Sequence, residues 1–383
     1  MKTTARLAGV SGLALAAAAA FAGTAQASPA QHPAHHSGQR GGAPVFVQTD
    51  NPSGNSIVVY DRSSKGTLSR AGSYRTGGLG GVLDGSVVDH LASQGSLAYD
   101  RAHGLLYAVN AGSNSVTVFA VHGDRLVRRQ VLASGGTFPV SLAVHGDVVY
   151  VLNARDGGSV QGYRRVGEFL LRIPAWHRDL GLDPKQTPEF TSTPGQVAFT
   201  PDGSKLIVTT KGNGSDIDVF RVDLFGGLSA KPVVNADPGA VPFAVAFDQH
   251  NRVVVSEAGP SAVATFSIDR AGRLSLVNRV ATGQAATCWI VGTGSTVYVS
   301  NAGSASLSGF RINGAGTLTA LGNTTTDAGS VDATISSDGR YLYAQTGGNG
   351  IVDEFRVNGN GSLTEIGSVT VPGAIGGEGI AAS

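Results

Sequence analysis

One pattern recurs seven times along this chain, and it leaves little freedom in the fold. The stretch LYAVNAGSNSVTVF at 106–119 is an alternating apolar strand, a polar turn and a second strand that ends on an aromatic. It returns at 149–163 and 297–310, and in weaker form at 45–60, 206–220, 253–266 and 342–355. Aligning the copies gives three columns. A polar residue closes the first strand: Thr49, Asn110, Asn153, Thr210, Glu257, Asn301 and Thr346. An aromatic follows in every copy: Tyr60, Phe119, Tyr163, Phe220, Phe266, Phe310 and Phe355. A Gly-x-Leu turn comes next, as in Gly123 to Leu126 and Gly316 to Leu318, and it leads into another strand. A further strand lies upstream, clearest at Pro139–Val144, Pro194–Phe199 and Pro242–Phe247. Four antiparallel strands per unit, repeated at this period, predict an all-β, seven-bladed β-propeller.

The two ends complement each other. The first copy begins at Val45 with its second strand, and the chain finishes on an orphan inner strand at 377–383. Pairing that strand with the first blade closes the ring and leaves no open edge. Two connections exceed the rest. Residues 73–93, with glycines at 77, 78, 80 and 81, read as a plain flexible loop. Residues 171–193, carrying Trp176, His177 and Arg178, read as a long loop between blades three and four.

The propeller is expected to span 44–383. Lys2 and Arg6, an apolar run from Leu7 to Phe21, and Ala25-Gln26-Ala27 have the layout of an export signal, so 1–27 reads as a signal peptide. Residues 28–43 read as a disordered linker whose His32, His35 and His36 lack the fixed geometry a metal needs. The mature chain is expected to be secreted. No later run is long enough to span a membrane. The 28 basic and 27 acidic residues form no basic stripe, which argues against a nucleic-acid partner. The lone Cys288 excludes an internal disulfide, so packing and ring closure must hold the fold. A monomer without cofactor is expected. Beyond that linker no HxxxH pair or carboxylate cluster at metal spacing occurs.

Candidate chemistry sits where strands meet the channel. In the polar column Asn110, Asn153 and Asn301 either cap turns or face a ligand, and Glu257 stands out as the one carboxylate. The inner-strand column is Ser96, Ser141, Gln196, Ala244, Cys288, Asp332 and Gly379. Cys288 beside Trp289 reads as a small core residue rather than a nucleophile. Lys211 and Arg155 lie just past the polar column.

NAGSNSVTVF at 110–119, SQGSL at 93–97, PGQVAFTPDG at 194–203 and CWIV at 288–291 make the chain resemble the lactonase-family seven-bladed propellers over about 44–383. That family includes 6-phosphogluconolactonase and the 3-carboxymuconate lactonising enzyme, and the chain is most similar to its exported members. The resemblance implies a lactone hydrolase or cycloisomerase. In the characterised branches a channel histidine, nearby arginines and a glutamate ending a second strand carry the activity. Glu257 matches that glutamate. The histidine would fall on Gly95-Ser96, Gly195-Gln196 or Phe243-Ala244, and Ser215-Asp216-Ile217 replaces the arginine motif of blade four. Without those cations, phosphorylated and tricarboxylate substrates lose their electrostatic partners.

Two functions follow. In the first, Glu257 is general base and Lys211 or Arg155 steadies an oxyanion on a neutral or weakly charged lactone. In the second, the propeller binds a sugar, peptide or cell-wall ligand without catalysis, across the mouth formed by Asn110, Asn153, Asn301 and the 171–193 loop; Arg155, Gln196, Lys211 and Asp332 complete the candidate binding residues.

Overall fold

The computed structural model describes residues 43–383. The expected signal peptide, nearly all of the linker and the three N-terminal histidines lie outside the described residues. Seven four-stranded antiparallel sheets form the blades. Blades two to seven each run from inner to outer strand in chain order, starting at Leu97, Pro139, Val197, Pro242, Thr287 and Ser330. Blade one takes its inner strand, Ile380–Ala382, from the far end of the chain. Val45 pairs with Ala382, Phe46 with Ala381 and Val47 with Ile380. The closure expected from the two ends is therefore present.

The columns have physical causes. The seven aromatics are all buried between blades. In five blades the strand pairing slips by one residue at the aromatic, and in blade three by three residues just before Tyr163. Such a bulge sharpens the local twist that each blade needs. Second strands such as Leu105–Asn110 are buried along their whole length, because both faces pack on neighbouring blades. Their tyrosines link blades in series. Tyr150 donates to the Gly226 carbonyl at 2.7 Å, Tyr298 to Gly361 at 2.8 Å and Tyr343 to Gly66 at 2.7 Å. The acceptor is each time the glycine turn of the next blade.

The two long connections differ from expectation. Residues 77–95 are not a loose loop but a plug over the channel mouth, with Leu83, Asp89, Leu91 and Ser93 buried. Its glycines permit close approach: a Cβ on Gly80 would overlap the Asp50 carbonyl, and one on Gly112 would overlap the Gly80 carbonyl. Gln94 reaches across to blade six, donating to the Ile290 carbonyl at 2.7 Å and accepting from its N–H at 2.8 Å. Trp289 donates to the Ser93 carbonyl at 2.7 Å. Trp176, His177 and Arg178 also leave the loop class. They belong to an eleven-residue outer strand, Phe169–Asp179, where Trp176 stacks on Tyr150 and Arg178 donates to the Leu228 and Ser229 carbonyls of blade four. Only residues 180–193 remain irregular, with one helical turn at Glu189–Ser192.

Candidate functional site

The polar column is buried rather than presented to a mouth. Asn110 donates to Thr117 Oγ1 at 2.9 Å and Ser115 Oγ at 3.2 Å, and accepts from Asn55 at 3.1 Å. Asn301 repeats this with Ser308 at 2.9 Å, Ser306 at 3.2 Å and Thr287 at 2.6 Å. Asn153 makes longer bonds to Ser134 and Ser159, both 3.4 Å. These amides tie the second strand of a blade to its neighbours. The signal was in the sequence: a hydroxyl stands five and seven residues after Asn110 and Asn301, at Ser115 and Thr117 and at Ser306 and Ser308, and Ser159 and Gln161 follow Asn153 at six and eight.

Glu257 is fully buried, and Arg279 grips its carboxylate from the fourth strand of the same blade. Nη2 donates to Oε1 at 2.8 Å and Nε lies 2.6 Å from Oε2. The guanidinium also reaches Asp237 at 2.5 Å. Burial outweighs the guanidinium and lifts Glu257 to about 7. Removing one partner of such a pair strands the other. Arg279→Leu should cost about 3 kcal/mol in denaturant unfolding at pH 8, with Glu257→Gln in the same chain restoring part of it. An unchanged midpoint in the single variant would show the pair to be idle.

Gln196 and Asp332 bridge successive inner strands. Gln196 Oε1 accepts from Val245 N at 2.6 Å, and Asp332 Oδ2 accepts from Ile380 N at 3.3 Å. Asp332 belongs to a group of buried carboxyl groups around the axis with Asp50, Asp89 and Glu378. Asp50 accepts from Glu378 N at 2.8 Å, and Glu378 Oε1 accepts from Gly95 N at 2.8 Å. Desolvation raises all four, Asp50 to about 8. Among the described residues no three His, Cys, Asp or Glu side chains converge to hold a metal ion.

Lys211 and Arg155 line neighbouring cavities at the mouth. Lys211 is buried, with a left-handed backbone (φ 54°). Its Nζ donates to the Phe190 carbonyl at 2.5 Å, the Ala92 carbonyl at 2.6 Å and Thr193 Oγ1 at 3.1 Å. It lies 5.4 Å from the Phe243 ring centre. Burial lowers it to about 7, opposed by the charge of Asp89. Asp89 is anchored in turn by the N–H groups of Leu91 at 2.8 Å and Ser93 at 2.9 Å. The two line a cavity of about 150 Å³ whose other walls are apolar, including Val88, Phe190, Phe243 and Trp289. Cys288 is in the same wall, and burial pushes its thiol up to about 12, too high for a nucleophile at neutral pH. Arg155 forks onto Glu189 at 2.7 and 3.0 Å and stacks on Phe138 at 4.4 Å. That pair borders a polar cavity of about 160 Å³ with Asp183, Gln186, Thr193 and Asn213.

Of the eight candidates, the structure therefore brings only Lys211 and Arg155 to adjoining cavities. Asp89 and Glu378 were not anticipated, and only an Asx-type Asp-x-x-x-Ser spacing at 89–93 hinted at the first.

The sequence profile of the family described as "Lactonase, 7-bladed beta-propeller" matches residues 83–375. A protein from Bacteroides fragilis, provisionally named a 6-phosphogluconolactonase, superposes with a TM-score of 0.71 at 20% identity, over 90% of this chain and 98% of that one. The periplasmic gluconolactonase of Pseudomonas aeruginosa gives 0.71 at 17% identity, over 89% and 98%. The virginiamycin B lyase of Staphylococcus aureus gives 0.54 at 15% identity, over 76% and 89%. At these identities the structural likeness concerns the fold. No curated protein matches the chain in sequence.

Proposed function

The chain belongs to the lactonase family of seven-bladed β-propellers, and from that premise we propose that it opens a small uncharged lactone, outside the cytoplasm, in the cavity between Lys211 and Trp289. One observation carries this reading: a single amine and a single carboxyl group face an otherwise apolar, 150 Å³ space at the mouth. Asp89 takes a proton from water, and the hydroxide attacks the lactone carbonyl. Lys211 exchanges its longest hydrogen bond, to Thr193, for the developing oxyanion. The ring C–O bond then breaks, and the alkoxide leaves with the proton held by Asp89, giving a hydroxy acid. Apolar walls suit the carbon ring, and the three buried carboxyl groups behind Asp89, at Asp50, Asp332 and Glu378, offer no cation to a phosphorylated or polycarboxylate substrate. Glu257, held by Arg279, is placed outside this step.

The test is hydrolysis of a panel of neutral lactones followed by acid release. Asp89→Asn should lose about 100-fold or more in kcat, and Lys211→Met a similar factor. Full turnover by a folded Asp89→Asn protein, or equal loss in Glu257→Gln, would sink the site. A second reading rests on the three bonds Lys211 already makes. An ammonium so engaged is a tether, and the polar cavity beside Arg155 then suits a sugar in a binding propeller. Absence of hydrolysis across the panel, with calorimetric binding of an oligosaccharide lost in Asp183→Ala, would favour it.

A further inference from the structure

In a four-stranded meander the turns alternate between the two ends of the blade. The mouth cavities collect the turns between second and third strands, such as those at Gly212 and Gly259. The Gly-x-Leu turns all lie at the opposite end. Two of them, in blades three and four, carry apolar side chains into solvent. Leu224 is 101% exposed and Phe225 76%, and on the adjacent hairpin Val166, Phe169 and Leu171 are each more than half exposed.

This arrangement is built rather than frayed. Asp223 Oδ1 accepts from Phe225 N at 2.8 Å and Gly227 N at 2.9 Å, and its carbonyl accepts from Gly226 N at 3.0 Å. Arg164 of blade three donates to the Phe225 carbonyl at 2.5 Å. The turn is therefore fixed before any partner arrives, and little ordering entropy remains to be lost on docking. The surrounding charge carries an excess of cations. The nearby acids are occupied: Glu168 pairs with Arg129, Asp147 with Arg165, and Asp223 caps its own turn. Arg164, Arg172 and Arg221 form no ion pair among the described residues.

We propose that this end of blades three and four docks on an anionic lipid surface, with Leu224 and Phe225 entering the acyl boundary and the arginines meeting lipid phosphates. Convex turn tips flanked by unpaired cations suit a bilayer, which asks for apolar depth and negative charge rather than a shaped groove. Docked this way, the mouth with Lys211 faces away from the membrane, so substrate access is not obstructed.

The experiment uses the full chain. A Leu224→Cys variant carries an environment-sensitive dye, Cys288 being buried and unreactive. Vesicles containing equal parts phosphatidylglycerol and phosphatidylcholine should shift the dye to the blue, high salt should reverse the shift, and pure phosphatidylcholine should give none. Unlabelled L224D/F225D should lose about tenfold or more in cosedimentation with the anionic vesicles. A dye that stays aqueous on sedimented protein, or a double variant that binds like the parent, overturns the proposal. So does a parent that elutes as a dimer and becomes monomeric in L224D/F225D, because the patch would then be covered by a second copy.

Discussion

Deleting Gly377–Ser383 is expected to abolish cooperative folding, not merely to lower stability. The segment supplies the inner strand of blade one, and without it Pro44–Gln48 becomes an open strand edge. Phe46, Val45 and Val47, all buried, lose their cover on one side. At roughly 1.5–3 kcal/mol for each large apolar side chain returned to water, these three alone rival the 5–15 kcal/mol that holds a typical domain folded. Glu378 is lost with them, and with it the carboxylate bonded to Gly95 N and the N–H bonded to Asp50. Near-UV circular dichroism should show no sharp thermal transition, and size exclusion should show aggregates formed through the open edge. A monomer with a parent-like melting curve would contradict this account of ring closure.

The second large effect is on pH. Asp50, ordinarily near 3.8, is lifted by burial to about 8, and Asp89, Asp332 and Glu378 are raised for the same reason. An acid with a raised folded pKa binds more protons folded than unfolded between the two values. Stability from such a group is complete below the unfolded value and falls as pH climbs to the folded one. Glu257 and Asp218, both lifted to about 7, add to the same slope. His90, lowered by burial, acts in the opposite sense but is a single group. Lys211, lowered from 10.5 to about 7, recovers stability only above neutral pH. The melting temperature should therefore fall by several degrees from pH 5 to pH 7 and flatten beyond it. An Asp50→Asn/Glu378→Gln protein should show a visibly shallower fall. A melting temperature that rises across this interval would mean that the axial carboxyl groups are ionised in the folded protein.

What could be read from the sequence was whatever repeats. A column present in seven copies, such as Tyr60 to Phe355, reflects a packing demand made once per blade, and each of its members is buried. The missing first strand and the surplus last one were legible for the same reason. The site was not, because its parts occur once and meet only in three dimensions. Lys211 finds Ala92 across 119 residues of chain, and Trp289 finds Ser93 across 196. The plug also misled through its glycines. Gly77 to Gly81 looked like slack, whereas Gly80 is small because the Asp50 and Asn51 backbones press against it. Glu257 stood out by its charge, but Arg279, the residue that explains it, stands two strands further on.

The closing strand has one more consequence. Ser383 N donates to the Pro44 carbonyl at 3.0 Å, so the two ends of the ring are neighbours in space. In blade one the chain break falls between inner and second strands, a place where every other blade has an uninterrupted hairpin. A short linker across the ends would make the ring continuous, and the chain could then be opened at an exposed hairpin such as Asp269–Gly272. Viewed as topology, the propeller is a circle whose beginning is a matter of gene order, while its one fixed address is the plug that spans its axis.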